Sequence, residues 1–117
     1  MSNNDKELLP YAQNAIVDIR KLRDYCLNTD HKSGGKDKAR LFYSALGMTV
    51  DDAEELRLIL LDGVRNYPAK LGKADEYGQR YTVNIQVTWG GKSAFLLSGW
   101  IIKYESDIPR LTICYPL

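Results

Sequence analysis

Residue types that build metal centres and disulfide frameworks are scarce in this sequence. It contains a single histidine, His31, and two cysteines, Cys26 and Cys114, which lie far apart and fit neither a CxxC motif nor a zinc-ligand spacing. One imidazole and two isolated thiols do not indicate a zinc site. We therefore expect no metal and no cofactor, and we interpret both cysteines as free thiols.

The sequence also lacks the short motifs of common nucleotide-binding and hydrolase families. No GxxxxGK[ST] or GxGxxG sequence follows a predicted strand, and no GxSxG nucleophile elbow is present. Nucleotide binding through such loops is therefore unsupported. A carboxylate pair for glycoside hydrolysis stays open as an alternative, although none falls on the open sheet face predicted below.

Long apolar segments and a strong charge imbalance are absent as well. No stretch approaches the roughly 20 apolar residues of a membrane span, and no apolar run follows a charged amino terminus. The formal net charge is only +1, so an anionic partner has to be recognised by a local cluster. We expect no membrane partner and a cytoplasmic location, although a toxin domain cut from a larger secreted protein would have the same composition.

What the sequence does contain is the composition of a folded domain. Hydrophobic residues make up 44% of its 117 residues, which is enough for one core but not for two. We predict a single domain over 1–117, with 1–10 as a partly frayed tail that Leu8 and Leu9 pin near its end. The predicted class is α+β, with about three amino-terminal helices packed on one face of a carboxy-terminal antiparallel meander of three to four strands.

The stretch 79–115 carries the clearest structural signal, because its hydrophobic period is two. Apolar and polar residues alternate up to Gly90-Gly91, which allow the positive φ angles of a two-residue hairpin turn. A short edge strand within 69–78 is indicated more weakly. The hairpin register pairs Trp89 with Lys92, Val87 with Ala94, Ile85 with Leu96, Val83 with Ser98 and Tyr81 with Trp100.

A further strand follows the hairpin. If side chains continue to alternate between the two faces, Ile102 lies opposite Leu111 and Trp100 lies opposite Ile113. This pairing continues the apolar face through Tyr115. This apolar face has to meet the helices. The other face of the meander is more polar and is predicted to be open.

Helical spacing of apolar residues predicts the three helices. Their predicted spans are 19–27 after the capping residue Asp18, about 37–46 before Gly47, and about 50–67 after Thr49. The second helix has a predicted buried stripe of Ala39, Phe42, Tyr43 and Leu46.

The longest helix carries more apolar surface than one sheet contact needs. Leu58 and Leu61 lie outside its buried stripe, beside charged residues. This excess indicates a surface for an antitoxin or immunity protein, or for a second copy of the chain. The alternative is that the amino-terminal segment covers both leucines.

The only histidine lies in a cluster of cations. The cluster consists of His31, Lys32, Lys36, Lys38 and Arg40, with Gly34-Gly35 inside it. Backbone N–H groups at a helix start can bind a phosphate together with cations, and histidine can transfer a proton at neutral pH. This combination suits RNA cleavage without a metal. The alternative is a solvated loop whose histidine has no catalytic role.

A second set of cations is predicted on the open face of the sheet. The register places Arg80, Lys103 and Arg110 at one end of this face, together with Thr82 and Thr112. Arginine can bind two phosphate oxygens at once, and threonine hydroxyls add donors. The alternative is that these cations only pair with nearby carboxylates, namely Glu76, Glu105 or Asp107.

Four short motifs along the chain carry a family resemblance. They are HxxGxxxKAxxFxxALG from His31, YGxRY from Tyr77, WII from Trp100 and PRLxxxY from Pro109. From about residue 9 to residue 115, the chain resembles a bacterial domain-of-unknown-function family associated with toxin–antitoxin and polymorphic-toxin systems. The layout of that family is similar to the barnase and RelE class of ribonuclease toxins, although a shared fold does not define a function. The resemblance supplies no catalytic residues.

These observations predict a metal-independent endoribonuclease of toxin type. We assign His31 as general acid or base, and Arg80 and Arg110 as the groups that stabilise charge on the phosphate. The predicted substrate-binding residues are Lys38, Thr82, Lys103 and Thr112. The alternative function is a non-enzymatic interaction module, such as a toxin-neutralising partner or a phage accessory protein.

Overall fold

The structure is a computed structural model that describes residues 7–28 and 35–117. In this part of the chain the helices precede the strands, so the predicted α+β class is confirmed. The helices are α1 (Ile19–Lys21), α2 (Gly35–Leu46) and α3 (Ala53–Gly63), and the strands are β1 (Ala69–Asp75), β2 (Gly78–Trp89), β3 (Lys92–Lys103) and β4 (Arg110–Pro116). A π-helix, Leu22–Cys26, continues α1 directly, and 3₁₀ turns lie at Ala12–Asn14 and Val50–Asp52.

The strands form one antiparallel sheet in the order β1-β2-β3-β4. β2 and β3 pair along their whole length in the predicted register, from Tyr81 opposite Trp100 to Trp89 opposite Lys92. Gly90-Gly91 makes the turn between them with φ angles of 57° and 81°. Such angles favour glycine at both positions. The predicted hairpin is therefore confirmed, as is the edge strand, which is β1.

β4 pairs with β3 through a one-residue bulge. Trp100 lies opposite Leu111 and Gly99 lies opposite Ile113, so Thr112 is an extra residue on β4. A Cβ atom on Gly99 would lie 2.9 Å from both Thr112 Oγ1 and Ile113 Cγ2. The two β4 side chains occupy the space over Gly99, and the bulge therefore depends on the absence of a side chain there.

The bulge changes the register that parity predicts for this strand pair. The predicted pairing of Trp100 with Ile113 is wrong, and so is that of Ile102 with Leu111, because strict alternation does not anticipate an inserted residue. As a result Leu111 and Cys114, three positions apart, both face the helices and are 2% and 0% exposed. Without the bulge, Cys114 would lie on the opposite face from Leu111.

Capping residues fix the helix positions as predicted. Asp18 accepts a hydrogen bond from the backbone N–H of Arg20, and Thr49 forms a capping box with Asp52. Gly47, with a φ of 71°, follows the last residue of α2 and ends that helix. All three helical segments therefore begin close to the predicted positions.

Two helices differ in shape from the predicted ones. The first is α-helical only as far as Lys21 and continues as the π-helix, whose wider turn is closed by a 2.8 Å hydrogen bond from Leu27 N to Leu22 O. The third ends at Gly63 instead of near residue 67. There the Asn66 carboxamide donates to the Asp62 carbonyl oxygen at 2.9 Å. It competes with the backbone N–H that would donate to this oxygen if the helix continued.

The helices and the inner face of β2, β3 and β4 enclose one hydrophobic core. Its largest fully buried side chains include Trp100, Phe42, Leu22, Leu46, Met48 and Leu56. Within the described ranges, Ser98 is the one polar residue that is buried. Its hydroxyl donates to Val83 O at 2.7 Å and accepts from Trp100 Nε1 at 2.9 Å. The buried indole N–H is therefore satisfied without water.

The burial of several side chains partly confirms and partly corrects the predicted assignments. Tyr43, predicted in the buried stripe of α2, is 62% exposed, because α2 turns it about 100° away from the buried Phe42. Leu58 is 55% exposed, whereas Leu61 is half-buried and packs against the core. Leu9 is buried as expected, but Leu8, predicted to pin the tail with it, is 46% exposed. Residues 1–6 of the predicted tail lie outside the described residues.

β1 is an exposed edge strand with an irregular register. Its pairing with β2 shifts between Leu71 and Ala74. The Gln79 carboxamide donates to the carbonyl oxygens of Gly72 and Lys73, at 2.9 and 3.3 Å. This side chain satisfies backbone groups in the irregular segment. None of the helices in the described ranges is long and apolar enough to cross a membrane.

Gly99→Ala should destabilise the fold, because the new Cβ would meet two β4 side chains at 2.9 Å. We expect the free energy of unfolding to fall by about 1–3 kcal/mol, the usual cost of overpacking. Urea denaturation followed by tryptophan fluorescence measures this change. Asn84→Ala, at an exposed position of the neighbouring strand β2, is the control and should change the free energy by less than about 0.5 kcal/mol. Equal midpoints for Gly99→Ala and the unmodified chain would show that the bulge tolerates a side chain.

Candidate functional site on the open sheet face

The sheet face that points away from the helices carries two arginines in one row. Arg80 on β2 lies opposite Ile101 on β3, which lies opposite Arg110 on β4. Neighbouring strands are about 4.8 Å apart, so the Cα atoms of the two arginines are about 10 Å apart. The structure therefore brings these two predicted site residues onto one face, on either side of an isoleucine.

The next row along the strands adds hydroxyl groups and another cation. Lys70 on β1 lies opposite Thr82 on β2, which lies opposite Gly99. The Thr112 hydroxyl lies over Gly99 because of the bulge. Thr82 and Thr112 thus approach the same glycine from neighbouring strands, beside the arginine row.

Lys103 completes the cationic end of this face. It is the last residue of β3, two positions after Ile101, and is exposed. We call the set Lys70, Arg80, Thr82, Lys103, Arg110 and Thr112 the cationic end. Among the described residues, Arg80 is the one member of this set that forms an ion pair. The exposed charges of Lys70, Lys103 and Arg110 can therefore attract a polyanion.

The Arg80 guanidinium is held by Asp75. Arg80 Nε lies 2.8 Å from Asp75 Oδ2, and the other carboxylate oxygen of Asp75 accepts from the backbone N–H of Tyr77 at 2.9 Å. The hydrogen bond from Arg80, followed by that from Tyr77, lowers the pKa of Asp75 below its usual value. The alternative of an ion pair is therefore correct for Arg80, but the partner is Asp75 and not Glu76, Glu105 or Asp107.

Beyond the cationic end the same face becomes apolar and aromatic. Phe95 is 50% exposed on β3, and Leu97 lies opposite Tyr115 on β4. The prediction that Tyr115 extends the buried apolar face is wrong, because the bulge turns it to the open face with Leu97. Leu97 is four residues from Ile101 along β3 and Phe95 is six, which corresponds to about 13 Å and about 20 Å from the row of Ile101.

Lys38 lies away from the cationic end. Its ammonium group is 5.4 Å from the centroid of the Tyr25 ring and 6.0 Å from that of the Tyr115 ring. Both contacts are within the range of cation–π attraction. Because Tyr115 and Arg110 are at opposite ends of β4, Lys38 does not lie beside the row of Arg80 and Arg110.

His31 and Lys32 lie outside the described residues, as does the side chain of Lys36. The catalytic assignment of His31 therefore stays a prediction. In the described part of the chain, no group of three or more His, Cys, Asp or Glu side chains is placed to hold a metal ion. The chemistry that the described residues offer is the binding of an anion and the stabilisation of its charge.

A protein-family model, Domain of unknown function (DUF6883), matches residues 8–117. The chain belongs to this family. Comparison with curated proteins and with solved structures gives no match. The matched region contains every strand of the sheet, so the whole cationic end lies inside the part of the chain that defines the family.

Three residues of this face are not among the predicted site residues. Lys70 lies on β1, which the sequence indicates only weakly, and Asp75 contacts Arg80 across the turn between β1 and β2. Phe95 alternates with the buried Leu96, so period-two parity alone could have placed it on the open face.

Arg80→Ala should raise the pKa of Asp75, because the hydrogen bond from Arg80 is the main cause that lowers it. Carboxyl carbon shifts followed by NMR through an acid titration measure the change. Asp18 is the internal control, since its pKa is lowered to about 2 by a hydrogen bond from Arg20, and it should not move.

Arg80→Ala should also make the free energy of unfolding less dependent on pH in the acidic range. A carboxylate whose pKa is lowered by folding stabilises the fold above its unfolded-state pKa, and the contribution is lost as the pH falls through the folded-state value. Between neutral and acidic pH, the Arg80→Ala variant should therefore lose less stability than the unmodified chain. An Asp75 titration that is identical in both proteins would contradict the ion pair.

Proposed function

We propose that the chain is a metal-independent endoribonuclease of toxin type whose RNA substrate lies on the open sheet face. The observation that carries the proposal is the row of Arg80, Ile101 and Arg110, with the two threonine hydroxyls beside it. A phosphodiester over Ile101 would lie between two guanidinium groups, which bind phosphate oxygens in pairs.

The two arginines differ in a way that suits charge stabilisation. Arg80 is held at 2.8 Å by Asp75, so its orientation is set before a substrate arrives. Arg110 is exposed and, within 7–28 and 35–117, has no ion pair, so its donors are free to bind a phosphate. Donors that are fixed in advance stabilise developing negative charge without reorganisation during the reaction.

The aromatic part of the face supports a single-stranded substrate. The exposed Phe95 ring and the Tyr115 ring lie along the same face as the cations, so a strand whose phosphates contact Arg110 can extend its bases toward them. Stacking on aromatic side chains is the usual way in which unpaired bases are bound. A paired duplex has no free base faces to offer.

Cleavage also requires proton transfer. The proposed general acid or base is His31, because imidazole exchanges a proton near neutral pH. Lys38 is proposed as a substrate contact at the far end of β4, where it lies beside Tyr115. Since the formal net charge is only +1, this local arrangement must supply the attraction for RNA.

A second candidate function is that of an interaction module. The observation that favours it is Leu58, an aliphatic side chain that α3 leaves 55% exposed. An antitoxin or immunity protein, or a second copy of the chain, would cover Leu58 and the exposed edge of Leu61. This function does not require His31 or the arginine row.

Arg110→Ala should weaken the binding of single-stranded RNA. Loss of one charged hydrogen-bonding group corresponds to about 1.5 kcal/mol, or about tenfold in affinity. Fluorescence polarisation with a labelled 2′-O-methyl RNA, which cannot be cleaved through the 2′-hydroxyl, measures binding alone. The slope of log affinity against log salt concentration should fall by about 1.

Lys92→Ala is the matched control for this measurement. It removes the same charge at the opposite end of β3, where the ammonium group donates to Ser44 O at 3.3 Å. We expect its affinity and salt dependence to stay near those of the unmodified chain. If both variants lose affinity equally, the attraction comes from bulk charge and the arginine row is not the binding site.

His31→Ala should slow RNA cleavage by about 100-fold, the scale of lost general acid–base catalysis. Gel analysis of a labelled RNA measures the rate, and the activity of the unmodified chain should persist in EDTA. Arg40→Ala, which removes a neighbouring cation of α2, is the control and should cleave at close to the normal rate. If the purified chain cleaves no RNA, or if His31→Ala cleaves as fast as the unmodified chain, the interaction module replaces the ribonuclease.

A further inference from the structure

The loop that joins β3 to β4 is attached to the backbone on either side of the arginine row. This loop, 104–109, ends directly before Arg110. At its start, the Tyr104 hydroxyl donates to the carbonyl oxygen of Asp75 at 2.6 Å. Asp75 is also the residue whose carboxylate binds Arg80 Nε at 2.8 Å. A single residue therefore lies between Tyr104 and the Arg80 guanidinium.

Asp75 is held through both its side chain and its main chain. One carboxylate oxygen accepts from Arg80 Nε at 2.8 Å, and the other accepts from the Tyr77 backbone N–H at 2.9 Å. The hydrogen bond from Tyr104 holds the carbonyl group of the same residue. With its main chain fixed in this way, Asp75 presents its carboxylate to Arg80 from one direction.

The close approach of the β1–β2 turn to the end of β3 depends on Gly78. This residue has a φ of 150°, and a Cβ atom on it would overlap the Ile102 carbonyl oxygen and lie 2.8 Å from Lys103 Cα. A side chain here would force the turn away from β3. Tyr104 follows Lys103 directly, so its hydroxyl reaches Asp75 because the two segments lie this close.

The other end of the loop is attached to the segment before α1. Ile16 N donates to Pro109 O at 2.9 Å, and Leu111 N donates to Ile16 O at 3.1 Å. These two hydrogen bonds form a parallel bridge between Ile16 and Arg110. The backbone of Arg110 is thus fixed at one end of the loop, and that of Asp75 at the other.

We propose that Tyr104 is a positioning residue for the arginine row and acts on Arg80 through Asp75. Its hydroxyl holds the Asp75 carbonyl, and the Asp75 carboxylate directs the Arg80 guanidinium toward the position over Ile101. A donor that is oriented in advance stabilises developing charge without reorganisation. The consequence for cleavage rests on the proposed ribonuclease function, whereas the effect on Arg80 does not.

Tyr104→Phe tests the effect on Arg80, because it removes the hydroxyl and keeps a ring that is 57% exposed. NMR of the full chain measures how fast the Arg80 Nε–H proton exchanges with water. We expect exchange about fivefold faster in the variant, the scale of one lost hydrogen bond. Asp75→Asn, which replaces the charged acceptor, should accelerate exchange further.

Tyr77→Phe is the matched control. Tyr77 lies in the β1–β2 turn and is 62% exposed, and within the described ranges its hydroxyl forms no hydrogen bond. The substitution keeps the backbone N–H that donates to Asp75. Exchange of the Arg80 proton should therefore match that of the unmodified chain. Unchanged exchange in Tyr104→Phe, or equal acceleration in both variants, would overturn the proposal.

Cleavage kinetics test the consequence for the reaction. Tyr104→Phe should lower kcat about fivefold and leave KM within about twofold, because the oriented Arg80 acts on charge that develops in the transition state. Thermal unfolding of the variant checks that it is folded. A rise in KM with unchanged kcat would overturn the positioning role in cleavage. If the unmodified chain cleaves no RNA, the ribonuclease function fails, and proton exchange still decides whether Tyr104 positions Arg80.

Discussion

The bulge of β4 over Gly99 is the constraint on which both the core and the open face depend. It turns Leu111 and Cys114 to the same side, although alternation would separate them, and it places Thr112 over Gly99 beside the arginine row. A register change in a strand alters both of its faces at once. One residue without a side chain therefore decides which groups of the last strand are buried and which are presented to solvent.

The open face combines a fixed cation with free ones. Asp75 neutralises and orients Arg80, whereas Arg110 and Lys103 have no ion pair among the described residues. The unpaired cations can attract an anion, and the paired Arg80 can orient it. This ion pair is partly buried, and its 2.8 Å contact fixes the orientation of the Arg80 guanidinium.

The sequence predicts this fold where the signal is local and fails where it depends on distant residues. Alternation and paired glycines specify the hairpin, and Asp18 and Thr49 mark helix starts. The bulge depends on the packing of β4 side chains over Gly99 of β3. A contact between two strands does not appear in the local sequence pattern of either strand. Arg110 was still placed on the correct face because its pairing shifted by two residues, which preserves parity. The pairings of Ile113 and Tyr115 shift by one residue, so the prediction places both on the wrong face.

The irregular edge strand β1 has a consequence for how the protein behaves at high concentration. A regular, apolar edge strand is a template on which a second sheet can add, and such addition leads to fibrils. Here the edge carries Lys70 and Lys73, its register is broken after Leu71, and Gln79 occupies carbonyl oxygens of the broken segment. A further strand could not form a continuous ladder of backbone hydrogen bonds with this edge, and it would have to approach two positive charges. This edge of the sheet is thereby protected from the addition of a further strand.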